Sequence, residues 1–328
     1  MKINKTLKLI ILAITSNTFF TFYATAAIWH VSNVGNNANF PSIIAAHDSE
    51  KVLAGDTLYV YGTTKPYYDF VCSKKLNIIG PGYFLNENQD TQANINTATI
   101  SNLTYNPGSE GSSISGMTIG NVNFKCSDIT IKRNRFMNNS PYSTVAFSSE
   151  VQNIIIVQNF IEAISGIQFS TAHACNNIII FNNLIIASYA NEMYGHCNAI
   201  IKNNVIKGEI SIFNSLFYNN IHIGKVNIEN SDVKCNIGNF GTINGNKSVD
   251  ISTIFVVVGS QDSKYQLAED SPAKNAGVNG IDCGAFDGTD PYILSGIPMI
   301  PTIYYVDIPV IASEISGLPV QIKIKSRN

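Results

Sequence analysis

Apolar runs broken by an asparagine recur along the middle of the chain. Aligned on that asparagine, they are 129–136 (ITIKRNRF), 154–161 (IIIVQNFI), 178–185 (IIIFNNLI), 199–206 (AIIKNNVI), 216–222 (LFYNNIH) and 232–238 (DVKCNIG). The aligned residues Asn134, Asn159, Asn183, Asn204, Asn220 and Asn236 are spaced 25, 24, 21, 16 and 16 positions apart. Gly116, in SISGMTIG, fits one unit earlier, 18 positions before Asn134. A variable period of about 20 residues, built of short apolar runs, marks a solenoid. Each unit then reads as one coil of short strands, stacked at the strand spacing of about 4.8 Å. The β-branched side chains point inward and stack on those of the next coil. The repeated asparagine is expected at a sharp corner, where its amide can bond the asparagines above and below. Leucine-rich repeats also use asparagine but need an LxxLxL frame, which is missing. The pattern predicts an all-β, parallel β-helix.

Outside the repeat the pattern changes. Residues 40–54 (FPSIIAAHDSEKVLA) are the best helix candidate, stopped by Gly55-Asp56, and are expected to cap the first open end. Residues 56–61 (DTLYVY) and 76–79 (LNII) read as strands, and 83–112 as a polar excursion. Coils are expected from about residue 112 to 258. The stretch 261–290, rich in Gly, Asp and Pro, is expected to close the second end. Within 291–328, YYVDIPV and LPVQIKIK are expected to pair as a small terminal β-hairpin.

The segments AGDTLYVYG (54–62), LNIIGPGYFL (76–85), the NN-apolar corners and YQLAEDSPAKNAGVNGIDCGAF (265–286) resemble the exported bacterial right-handed parallel β-helix repeat proteins of the pectate-lyase-like superfamily. The resemblance covers most of the chain after residue 26. It implies a right-handed coil, with an N-terminal cap helix and a C-terminal β appendage, and it implies export. It says little of activity, because that superfamily holds lyases, glycosidases, adhesins and surface proteins.

Composition agrees with β structure and narrows function. Of 328 residues, 48 are Ile and 40 are Asn. Ile favours strands and Asn favours turns. Only three residues are Arg and the net charge is −2, which argues against a nucleic-acid partner. Residues 1–26 read as a secretory signal: Lys2, Lys5 and Lys8, an apolar run from Leu9, then Ala24-Thr25-Ala26 before a cut. The remaining organisation is then 27–290, coil with its caps, and 291–328, appendage. The destination is extracellular, cell-surface or periplasmic, with no membrane span after the cut. Six cysteines lie at widely spaced positions with no CxxC, so zinc is a poor reading. Most are expected to be free, buried thiols, with Cys175–Cys197 the one pair worth checking.

Candidate chemistry is sparse. No stacked acids follow Asp128, where the aligned residues are Asn153 and Asn177, so no Ca²⁺ site is expected. Glu162, Glu192, Glu209 and Glu229 stand in different registers, unlike the paired carboxylates of glycosidases. No metal or cofactor is predicted. The longer coils suggest loops suited to binding. Those loops carry Tyr142, His173, Tyr189, Tyr194 and His196, and aromatic faces suit sugar rings. Lys132 and Arg133 are expected to project outward beside the Asn134 corner, and Arg133 and Arg135 would add contacts for an acidic sugar. The reading is an exported, non-catalytic binding protein with a polysaccharide as ligand. The alternative is a polysaccharide-degrading enzyme, lyase before hydrolase. A purely structural surface filament is a third class, suited by the bare 16-residue coils.

Overall fold

The computed structural model describes residues 26–35, 37–169, 173–187, 197–309 and 317–326, apart from the side chains of residues 139–143, 197 and 212. The chain winds as a right-handed parallel β-helix. One wall is a ten-stranded parallel sheet that runs from Ile28–Val31 through Thr130–Lys132, Val151–Val157, Cys175–Phe181 and Cys197–Lys202 to Asp232–Lys234. The facing wall is an eight-stranded parallel sheet that includes Arg135–Phe147, Phe160–Gln168, Leu184–Ala187, Val205–Lys207 and Ile221–Ile223. Ile210–Phe213 and Val226–Glu229 form a short third wall in the later coils.

Register explains the Ile-rich runs. Ile131, Ile156, Ile180, Ile201, Phe217 and Val233 stack directly on one another inside the first wall. Ile119, Phe136, Ile161, Ile185 and Ile206 do the same inside the second. The sixth place in that second stack is taken by His222, which is buried. An aromatic column, Tyr105, Phe124, Phe147 and Phe169, fills the wider early coils.

The asparagine corners form the expected ladder. From Asn134 through Asn159, Asn183, Asn204, Asn220 and Asn236, each backbone N–H and side-chain amide donates to the Oδ1 of the next, at 2.8–3.2 Å. Asn246, only 10 positions past Asn236, ends the ladder and escapes a search for a fixed period. The left-handed backbone lies one residue earlier than the sequence suggested. Arg133, Gln158, Asn182, Asn203, Asn219 and Cys235 carry φ of 56, 57, 52, 54, 59 and 52°. The ladder asparagines are therefore kept by their buried hydrogen bonds rather than by tolerance of that conformation.

That left-handed column is covered. The stretch 261–290 was expected to close the end of the coil. Instead, the chain from about 278 to 297 runs back along its side, across successive coils. Val278 N–H donates to Asn219 Oδ1 at 2.8 Å and Gly284 N–H to Asn219 O at 2.9 Å. Asn182 Nδ2 donates to the carbonyls of Ala285 and Asp287, at 2.8 and 2.7 Å. Gln158 Nε2 reaches Asp290 at 3.0 Å, and Arg133 Nη1 reaches Ile297 O at 3.0 Å. This return segment buries a second apolar cluster on the outer side of the eight-stranded sheet. Phe160, Leu184, Val205, Ile221 and Ile237, each directly after a ladder asparagine, pack there with Tyr83, Phe84, Phe255, Ala273, Cys283, Ala285 and Tyr292.

Arg133 is thus buried at 6% exposure, not projected into solvent, with Nε on Gln158 Oε1 at 2.8 Å. Lys132 pairs with Asp290 at 2.9 Å. Arg135 occupies the register place of Phe160 and lies over the Phe84 ring at 4.4 Å, paired with Glu162 at 2.9 Å. Lys132 and Arg133 thus fasten the return segment, and Arg135 fastens Phe84 and Glu162 beside it.

The ends follow simple rules. Ser42 caps the helix Ile43–His47 by accepting from Ala45 N–H, and buried Ile43 and Ala46 join the main core. The helix is shorter than the sequence suggested. Phe240 packs on Phe217 and His222 at the other end. Cys72, Cys126, Cys235 and Cys283 are free thiols, and Cys175 and Cys197 are register partners on adjacent coils. Thr302–Asp307 pairs antiparallel with Gln321–Lys325 as the terminal ribbon. Among the described residues no helix is long and apolar enough to cross a membrane.

Candidate functional site

A second column of left-handed residues marks the corner leading into the ten-stranded sheet. Asp128, Asn153, Asn177, Asn214 and Asn230 have φ of 62, 59, 52, 47 and 47°. Asn and Asp adopt this conformation more readily than other side-chain-bearing residues. Unlike the buried ladder, this column faces water. Asn153 Nδ2 donates to Asp128 Oδ1 at 2.7 Å, and Asn177 Nδ2 donates to Asn153 Oδ1 at 2.7 Å. In the neighbouring register Asn198 Nδ2 donates to Asn176 Oδ1 at 3.3 Å.

Two recesses lie on this corner. The larger, about 560 Å³, is lined by Asn177, Asn198, Asn214 and Asp232 over an apolar floor of Ile200 and Leu216. Leu216 is 43% exposed, an uncompensated apolar surface in a polar rim. The smaller, about 260 Å³, is lined by Ser127, Glu150, Gln152, Ala174 and Asn176. Both belong to one side of one sheet, so successive coils present amides and hydroxyls at the rung spacing of about 4.8 Å. Such a surface offers repeated donors and acceptors to an extended ligand whose own polar groups repeat. Among the described residues, the larger recess exposes no group placed for proton transfer except Asp232, which is held by Lys234 at 2.8 Å.

The residues singled out from sequence fall in three places. His173 is exposed and directly precedes Ala174 in the smaller recess. Tyr189, Tyr194, His196 and the Tyr142 side chain lie outside the described residues. Asn198, two positions after His196, lines the larger recess. Arg133 and Arg135 are not brought there, being engaged with Gln158 and with Glu162.

Sequence reading missed an aromatic group at the first coils. His30, Tyr59 and Tyr61 cluster on the outer face, with centroids 5.1–5.6 Å apart and Tyr61 Oη 3.1 Å from His30 Nδ1. Burial, then the neighbouring Tyr61, pushes the Tyr59 hydroxyl above its ordinary range. The i, i+2 tyrosines of TLYVY carried the signal, since alternate strand residues share a face.

No family model matches the chain. No curated protein matches it. Among solved structures, the chain is similar to the crystal structure of pectate lyase Pel9A, with 13% identity and a TM-score of 0.48, over 81% of this chain and 97% of that one.

Proposed function

We propose that this is an exported, non-catalytic binding protein that holds an extended glycan along the leading corner of its ten-stranded sheet. The observation that carries the reading is the groove over Leu216 and Ile200, rimmed by Asn177, Asn198 and Asn214. Amides in register suit hydroxyls, and the apolar floor suits the C–H face of a sugar ring. A rigid solenoid holds these groups in place without an ordering cost on binding. His173 borders the same corner, and Tyr189, Tyr194 and His196 precede Asn198 in the sequence. The leader at residues 1–26 supports export.

The test is a glycan array on the purified protein, followed by titration of any glycan found. The Asn198→Ala, Leu216→Ser variant should bind about 10-fold more weakly, as expected for loss of about 1.4 kcal/mol of polar and apolar contact. The Tyr189→Ala, Tyr194→Ala variant should weaken binding by about 1 kcal/mol per stacked ring. Undiminished binding by both folded variants would remove this corner from consideration. Release of unsaturated products or new reducing ends by the wild type would replace the binding reading with a polysaccharide-degrading enzyme, lyase or hydrolase respectively.

A further inference from the structure

The terminal ribbon is built inside out. Directly paired residues of an antiparallel ribbon share a face, and one extra residue shifts the alternation. Here the register slips between Ile303 and Tyr305. That bulge puts Ile303, Val306, Ile322 and Ile324 on one face through the pairs Ile303–Ile324 and Val306–Ile322. The other face takes Thr302, Tyr305, Asp307, Gln321, Lys323 and Lys325 through the remaining pairs. Lys323 Nζ lies 4.8 Å from the Tyr305 ring centroid, which places both on that polar face.

At its base the polar face looks toward the body, while Tyr305, Asp307, Gln321 and Lys323 further out are exposed. Thr302 is buried, and Lys325 reaches Asp90 of the excursion at 3.4 Å. Ala93 N–H donates to Ile303 O at 2.8 Å, which anchors the base of the ribbon. The aliphatic face is left open: Ile303, Val306, Ile322 and Ile324 are 42, 43, 51 and 63% exposed. Ile308, Leu318 and Val320 continue the exposed apolar surface at 55, 47 and 49%. A monomer rarely shows so continuous an aliphatic patch, on the order of 500 Å². An isolated two-stranded ribbon is also marginal in water without a covered face.

We infer that this face packs against the same face of a second copy, making a dimer through a four-stranded sandwich. Three observations favour a copy. The aliphatic face carries no charge, so a two-fold contact buries no like-charge pair, and the two lysines turn away from it. Two such patches together remove about 1,000 Å² from water, the lower bound for a specific interface. The prolines at 301, 309 and 319 flank both strands and hinder edge-on pairing, which leaves face-to-face packing. The contact is self-complementary, as a two-fold interface requires.

Sedimentation equilibrium and light scattering on the purified protein, up to about 100 µM, test this in the range where a minimal interface associates. The expected result is a concentration-dependent species of twice the monomer mass. Ile322→Thr with Ile324→Thr keeps β-branched residues in the strand but makes the face polar, and should raise the dissociation constant at least 10-fold with the melting temperature of the coil unchanged. Lys323→Glu, on the opposite face, should leave the dimer intact. A wild type that stays monomeric at all concentrations would overturn the inference, as would a threonine variant that dimerises as tightly. Co-sedimentation of a monomeric wild type with vesicles of phosphatidylcholine and phosphatidylglycerol would assign the face to lipid instead.

Discussion

Replacing Asn204 by Leu tests the ladder at its centre. Asn204 is fully buried. Its Oδ1 accepts from the backbone N–H and the side-chain amide of Asn183 at 2.9 and 3.0 Å. Its Nδ2 donates to Ile180 O, Lys202 O and Asn220 Oδ1 at 3.0, 2.9 and 2.9 Å. Leucine has similar bulk, so the change opens no large cavity. It leaves the Asn183 backbone N–H without an acceptor, far from water, whereas the Asn183 side-chain amide keeps Ile156 O and Phe181 O. An orphaned buried polar group costs about 1–3 kcal/mol, and the added apolar burial offsets part of this. The left-handed residue of this corner is Asn203, so no backbone strain adds to the cost. A net loss of about 2 kcal/mol follows, which lowers the melting temperature of a chain this large by about 3 °C. Thermal unfolding by circular dichroism reads the total, and faster hydrogen exchange at the Asn183 amide localises it. Asn153→Gly, in the exposed column with φ of 59°, should change stability by less than about 1 kcal/mol. A melting temperature for Asn204→Leu within about 1 °C of wild type would refute the energetic role of the ladder.

Four further outcomes follow from the same contacts. Arg133→Met should leave Gln158 Oε1 and the Ile297 carbonyl without the Arg133 donors, and speed hydrogen exchange over the return segment before the coil itself opens. Burial, opposed by its bond to Gly208 O, holds His222 below its ordinary range, so its share of stability is present above pH 6.5 and lost as pH falls through the lowered folded value. His222→Phe should flatten that acid limb of a pH–stability curve. Burial pushes the Cys72 and Cys283 thiols up to about 11 and about 12. Their contribution is complete below the ordinary value of 9.0 and is lost as pH rises through the folded values, so stability should fall between pH 9 and 12. In the native protein at pH 8, Cys72 and Cys283 should resist a thiol reagent, whereas denatured, unreduced protein should titrate at least four of its six cysteines. Asp56 accepts from Ala27 N at 2.8 Å and from Trp29 Nε1 at 2.8 Å. A chain cut before Ala27 would place an ammonium on that carboxylate, so it should melt higher than the uncut chain, and Asp56→Asn should erase the difference.

The coil was legible because its cause is local and repeated. An apolar run followed by asparagine reports one strand and one corner, and six repetitions fix the stacking direction. The exact turn residue was not legible, because two asparagines stand side by side at 182–183, 203–204 and 219–220. Only the structure separates their work: the first of each pair takes the left-handed backbone, and the second takes the ladder bonds. At Arg133 and Gln158 the first place is held by other residues, which shows that the corner needs the conformation less than the ladder needs the amide.

The return segment was hidden for a different reason. Its partners lie 59–164 positions away, and no local pattern registers such contacts. Yet one trace of it stood in the repeats. After the ladder asparagines Asn159, Asn183 and Asn204 come Phe160-Ile161, Leu184-Ile185 and Val205-Ile206, two apolar residues in succession. Adjacent strand residues face opposite ways, so only one of each pair can enter the coil. The other must be covered from outside, and the segment that covers it had to come from elsewhere in the chain. The same logic applies to the ribbon. Ile322 and Ile324 alternate with lysines as a half-buried strand should, yet they are open, and the surface that would bury them is not supplied by the described part of this chain. In the coil that rule is satisfied from within one chain; in the ribbon it directs attention to a second.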